Sequence, residues 1–146
     1  MRLLRNMFVV IIVSIILQAI WEYVACDLFY TMDDLTGHTR LMMSATFGDV
    51  MMTLALFIIL ALVNKDDNWV IKKWEFKETV ITVLYGLFLS FYFEVSALYN
   101  GRWGYNESMP LFPNTNIALL PVLQLVILFP LTFFITKWII KRFFIE

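Results

Sequence analysis

Met7 to Tyr30 reads MFVVIIVSIILQAIWEYVACDLFY, an apolar run interrupted late by one carboxylate, Glu22. A membrane span needs roughly 20 mostly apolar residues. Three further stretches reach that length: about Met42 to Val63, Glu78 to Tyr99 and Asn116 to Ile140. The 146 residues are 61% hydrophobic and 17% aromatic, with a mean hydropathy of +0.77. A soluble domain of this length carries more charge and fewer long apolar runs. The expected fold is therefore all-α: a polytopic membrane protein, one domain over residues 1–146, with four transmembrane helices in a bundle.

Basic residues orient the spans. Arg2 and Arg5, then Lys65, Lys72, Lys73 and Lys77, then Lys137, Lys141 and Arg142 flank one side, while Arg40 and Arg102 flank the other. The positive-inside rule then places both termini in the cytoplasm. The N-terminal run also resembles a signal peptide, with Val24-Ala25-Cys26 hinting at a lipoprotein cleavage site. Its length, and Tyr23 three residues before the cysteine, favour a retained helix. Trp69, Trp74 and Phe76 alternate with lysines and read as a cytoplasmic interface belt, with Trp21, Tyr30, Trp103 and Tyr105 as the outer one.

Several function classes drop out. The net charge is -1, and no basic patch offers itself to nucleic acid. The lone Cys26 excludes a disulfide framework, and is expected to be a small packing residue. The lone His38 excludes a zinc site built on several His and Cys ligands. With Asp27, Asp33 and Asp34, His38 is expected in or beside the first outer connection.

Three carboxylates inside apolar segments remain. Each costs at least about 2.5 kcal/mol in hydrocarbon by insertion scales. A rise of 1.5 Å per residue turns position into depth, and Glu22, Asp49 and Glu94 all fall in the outer third of their helices. Gln124 on the fourth helix reaches the same level. Small or weakly polar stripes lead to the acids: Ser14, Gln18 and Glu22; Thr46, Asp49 and Thr53; Thr82, Gly86, Ser90 and Glu94. Such residues let helix backbones approach in lipid, so the stripes should face inward and the acids one another. Gln18, Thr53, Ser90 and Gln124 also suit plain interhelical hydrogen bonding. No buried charge is expected in the inner halves, which hold Ser14, Thr79 and Thr82.

The candidate catalytic groups are thus Glu22, Asp49 and Glu94, and the candidate ligand contacts are Gln18, Trp21, Arg102, Tyr105 and Gln124. Arg102 lies in Gly101-Arg102-Trp103-Gly104-Tyr105, where it can fold back on the acids or hold an anionic head, or simply be solvated. Pro110 and Pro113 stiffen the return to the membrane, Pro121 falls in the first turns of the last span, and Pro130 should kink it. Asn106-Glu107-Ser108 formally fits a glycosylation acceptor. No cofactor is expected. A hard cation such as Mg²⁺ or Ca²⁺ is a minor option, without the Asp-x-Asp spacing that would support it.

Trp21-Glu22-Tyr23, Gly48-Asp49, Glu94, Gly101-Arg102-Trp103 with Tyr105, Met109-Pro110, and Leu120-Pro121 with Gln124 resemble a group of small uncharacterised bacterial four-span proteins. That resemblance implies the bacterial inner membrane and no particular activity. A looser likeness to small multidrug transporters, which carry a glutamate in the first of four helices, is architectural. Three functions are open at this point. The first is an outward-facing carboxylate site that binds or transforms an amphiphilic, lipid-like molecule. The second is a proton- or cation-coupled transporter, with a homo-oligomer as its natural form. The third is a non-catalytic subunit or assembly factor. Membrane lipid is the expected partner throughout.

Overall fold

The computed structural model describes residues 2–31 and 35–144. The expectations for Asp33 and Asp34, and for the side chains of Cys26, Asp27 and His38, lie outside the described residues. Four helices carry the fold: α1 (Arg2–Phe29), α2 (Leu35–Asn64), α3 (Phe76–Tyr99) and α4 (Leu119–Phe143). All four are long and apolar enough to cross a membrane, so the chain is an all-α, multi-pass four-helix bundle. Its core mixes apolar side chains such as Phe57, Leu60, Phe129 and Phe133 with polar ones, and its exterior is apolar. Ser14, Gln18, Thr53, Thr82, Ser90, Thr132 and Thr136 are buried, while Phe8, Leu62, Phe88 and Trp138 face outward. Where lipid replaces water, polar groups gain by turning inward to partners, while apolar ones are tolerated on the outside.

Helices α1 and α2 begin earlier than their apolar runs suggest, at Arg2 and Leu35, because helical backbone continues past hydrocarbon without penalty. Helix α4 begins later than Asn116, and its preceding chain is held by other bonds. The Leu119 amide donates to the Pro110 carbonyl at 2.8 Å. Pro121 cannot donate to Ile117 four residues back, so the Phe112 amide serves that carbonyl at 2.9 Å. Pro130 lies inside α4.

Around the bundle α1 packs on α2 and α4, and α3 packs on α4, whereas α2 and α3 hardly meet. At the α3–α4 crossing a Cβ on Gly86 would sit 3.5 Å from the backbone of Leu125 and Val126. That is the close approach small residues allow. Across the α2–α3 gap the Tyr85 hydroxyl donates to the Met52 carbonyl at 3.1 Å.

The end of the bundle where α1 begins and α4 ends is sealed by aromatic packing. The connection from α2 to α3 turns inward through a short 3-10 helix, Trp69–Ile71. Trp69 is only 2% exposed, and its ring centroid lies 5.5 Å from Phe57, 5.1 Å from Phe133 and 6.1 Å from Trp74. Its indole N–H donates to the Phe57 carbonyl at 3.1 Å. This corrects the belt reading: Trp69 is core, Trp74 is half-buried, and only Phe76 is exposed. Fully buried Asn6 fastens the connection, donating to the Asp67 carbonyl at 2.9 Å and to Asn68 Oδ1 at 3.0 Å. This half does contain a buried carboxylate, Glu78, contrary to expectation. Its role is local, since Glu78 and Glu75 form a capping box at the start of α3.

The opposite end is closed by a two-residue antiparallel ladder, β1 (Tyr30–Thr31) with β2 (Gly104–Tyr105). It joins the two connections that flank the candidate site. Asn106 and Ser108 strengthen the join, because the Asn106 amide group and the Ser108 hydroxyl both donate to the Leu28 carbonyl, at 2.8 and 3.1 Å. The Asn-x-Ser pattern therefore serves here to finish helix α1.

Candidate functional site

The site is built from the buried polar stripe of each helix. On α1 the stripe is Ser14, Gln18 and Glu22, with Ser14 and Gln18 buried and Glu22 half-buried. The Ser14 hydroxyl donates to Thr53 Oγ1 at 3.1 Å, and Thr53 in turn to the Asp49 carbonyl at 2.7 Å. Asp49 is thereby presented from α2 to the bundle interior, where it is 8% exposed. Thr46 leaves its expected stripe and lines an apolar groove between α1 and α2 instead. On α3, Thr82, Gly86, Ser90 and Glu94 are all buried.

Gln124 of α4 is the hub. Its Nε2 donates toward Glu22 Oε1 at 2.8 Å, Asp49 Oδ2 at 2.8 Å and Gln18 Oε1 at 2.9 Å. One side chain thus ties three helices together at a single point. An amide nitrogen carries two hydrogens, so three oxygens compete for two protons. The Gln18 amide nitrogen, fully buried, has no hydrogen-bond partner of its own among the described residues.

Glu94 stands apart from the hub but opens into the same space. Its nearest donor among the described residues is the Trp103 indole N–H, 3.5 Å from Oε1, which is longer than a normal hydrogen bond. Local chemistry brings that indole over the helix end. Gly101 takes a left-handed conformation, φ +60°, while its amide donates to the Leu98 carbonyl and the Arg102 amide to the Ala97 carbonyl. This is the glycine-terminated helix end in which the chain doubles back. Arg102 and Trp103 are thereby returned toward the acids. Gly104 follows in the ladder, where a Cβ would lie 2.9 Å from Thr31 Oγ1, so only glycine passes without displacing that side chain.

Together these groups line a cavity of about 590 Å³. Glu22, Asp49, Glu94, Arg102 and Gln124 all contribute to its wall. Trp103 and Tyr30, expected only as interface aromatics, also contribute. Of the other candidates, Gln18 lies behind Gln124, and Trp21 and Tyr105 line no part of it. Tyr105 pairs with Tyr30 in the ladder and packs its ring on Tyr30 at 5.7 Å. The cavity also includes Ser44 on α2 and Phe93 on α3, both exposed. It therefore reaches the lipid-facing surface through the gap between these two helices.

Gly48, quoted from the sequence only for the resemblance, is a further wall residue. It sits mid-helix on the cavity wall, and a Cβ there would meet nothing within 4 Å. A mid-helix glycine costs roughly 0.5–1 kcal/mol relative to alanine. Gly86 returns that cost as close helix packing, whereas Gly48 returns only open space. Its position next to Asp49 within an apolar run was the available signal.

Chemically the arrangement offers carboxylate acceptors and an aromatic wall, with one guanidinium on an exposed residue at the rim. Among the described residues no three His, Cys, Asp or Glu side chains form a group able to hold a metal ion. Comparison of the chain with protein-family models, curated proteins and solved structures yields no match.

Proposed function

We propose that this protein binds, and acts upon, an amphiphilic lipid-like molecule whose polar head enters the carboxylate cavity while its chain leaves between α2 and α3. The observation that carries the reading is the cavity itself, where three carboxylates share a largely apolar wall that reaches exposed Ser44 on α2 and Phe93 on α3. A soluble substrate needs no lipid-side opening. If the site performs chemistry, Glu22, Asp49 and Glu94 are the groups suited to proton transfer. A transport path is disfavoured by the packing of Trp69, Phe57 and Phe133, which fills the bundle below the site. A purely structural subunit has no use for the open space at Gly48.

The experiment is the fate of co-purifying lipid. The protein, purified and exchanged extensively into a maltoside detergent, should retain an amphiphile detectable by mass spectrometry. Gly48→Leu sets a branched side chain on the cavity wall from a Cβ that meets nothing within 4 Å and should lose it, whereas Gly48→Ala should keep it and gain up to about 1 kcal/mol of stability. Full retention by Gly48→Leu sinks the proposal.

We further propose the bacterial inner membrane, which only the resemblance implies, with both termini cytoplasmic and the cavity facing outward, for which the lysine and arginine distribution is the support. In a Cys26→Ser background, Glu107→Cys should then react with an impermeant thiol reagent applied to spheroplasts, and Lys73→Cys should not. Both residues are exposed in the structure. The opposite labelling pattern reverses the orientation.

A further inference from the structure

Resting on the amphiphile reading above, we infer that the head group this cavity takes carries a protonated amine, held by Glu94 and Asp49 beneath the Trp103 and Tyr30 rings. The first support is the charge of the wall. Three carboxylates line it against one guanidinium, Arg102, and Arg102 is exposed at the rim. Among the described residues no basic side chain forms an ion pair with Asp49 or Glu94.

The second support is how little of the acceptor capacity is used. An ionised carboxylate offers about four lone-pair positions. Glu94 is 2% exposed, and its nearest donor among the described residues is the indole at 3.5 Å. Asp49 is 8% exposed, and its carboxylate receives one share of the contested Gln124 amide. A buried carboxylate keeps its charge only when paired and hydrogen-bonded, and otherwise holds a proton. A primary ammonium brings three N–H donors and a compensating charge, which an anionic or neutral head cannot do.

The third support is the aromatic lining. Trp103, Tyr30 and Phe93 share the cavity wall with the acids, and Tyr30 meets Trp103 edge to face with centroids 6.4 Å apart. Ring faces attract cations through their quadrupole, and Phe93, on the lipid-side opening, suits the methylenes next to the amine. A negatively charged head would meet these same groups as repulsion and lost hydration.

The test compares three single-chain amphiphiles of equal length: dodecylamine, dodecanol and dodecyl phosphate. Each is added to the purified full-length protein in maltoside micelles at neutral pH. The reading is the rise in Tm of wild type relative to Gly48→Leu, which subtracts effects on the micelle. Dodecylamine should raise the difference, and the two others should not. Glu94→Gln should then need about tenfold more amine or higher for the same shift, the equivalent of one charge-assisted hydrogen bond. Equal or stronger response to the alcohol or the phosphate overturns the inference and leaves the amphiphile reading standing. An amine response unchanged in both Glu94→Gln and Asp49→Asn also overturns it. No response to any of the three removes the inference, and the retained-lipid measurement then decides separately whether the amphiphile reading survives.

Discussion

Replacing Gln124 by leucine should lower the stability of the bundle by about 3 kcal/mol, the scale of losing hydrogen bonds to charged groups. The shape is nearly kept, so packing is a minor part of the loss. What disappears is the donor that faces Glu22, Asp49 and Gln18 together at 2.8–2.9 Å. Glu22 can recover water from the cavity it lines, but Gln18 is fully buried and cannot. Leaving a buried polar group without its partner costs more than the bond contributed when made. Gln124→Glu sharpens the test, because it keeps the outline while replacing a donor with an acceptor among carboxylates. It should be more damaging than leucine at neutral pH, since like charges in one site repel. Thermal melts in detergent of wild type and the two variants give the order directly. A glutamate variant as stable as wild type would show that the amide nitrogen does not face the acids.

The other large effect is expected at the sealed end. Trp69→Ala should cost about 3–5 kcal/mol, the range for deleting a fully packed aromatic side chain. Trp69 touches Phe57, Trp74 and Phe133, and its N–H serves the Phe57 carbonyl. Trp69→Phe keeps most of the ring contacts and loses that bond, so its cost should be nearer about 1–2 kcal/mol. Melting temperatures of the pair separate packing from hydrogen bonding. Were Trp69 an interface residue, as its lysine-flanked sequence suggests, alanine would cost little. A loss below that of the phenylalanine variant would restore the belt reading.

Sequence context explains why Trp69 was misplaced and Asp49 was not. Tryptophan beside lysine is the normal composition of an interface, and nothing local distinguishes a ring that faces lipid heads from one that folds under the bundle. That depends on the path of the connection, held by Asn6 bonds across more than sixty residues of chain. A carboxylate in an apolar run is different. Its desolvation cost is paid whatever the topology, so inward orientation follows from the residue type alone.

The same division holds for the whole protein. Apolar run length determined four helices and a membrane fold, because span length is set by the bilayer and helix rise by the backbone. Residue type and depth determined that Glu22, Asp49, Glu94 and Gln124 would lie near one level. Only the tertiary structure decided that Gln124 joins Glu22, Asp49 and Gln18 while Glu94 faces them across an open cavity. Helix rotation and the near absence of α2–α3 contact set that arrangement, and neither is written in periodicity, since stripes of small residues fit several neighbours equally well. The return of Trp103 over Glu94 likewise needed the left-handed turn at Gly101 and the ladder between β1 and β2, where bonds form between segments far apart in the chain. Local chemistry chose the glycine, and long-range pairing chose what the turn would cover.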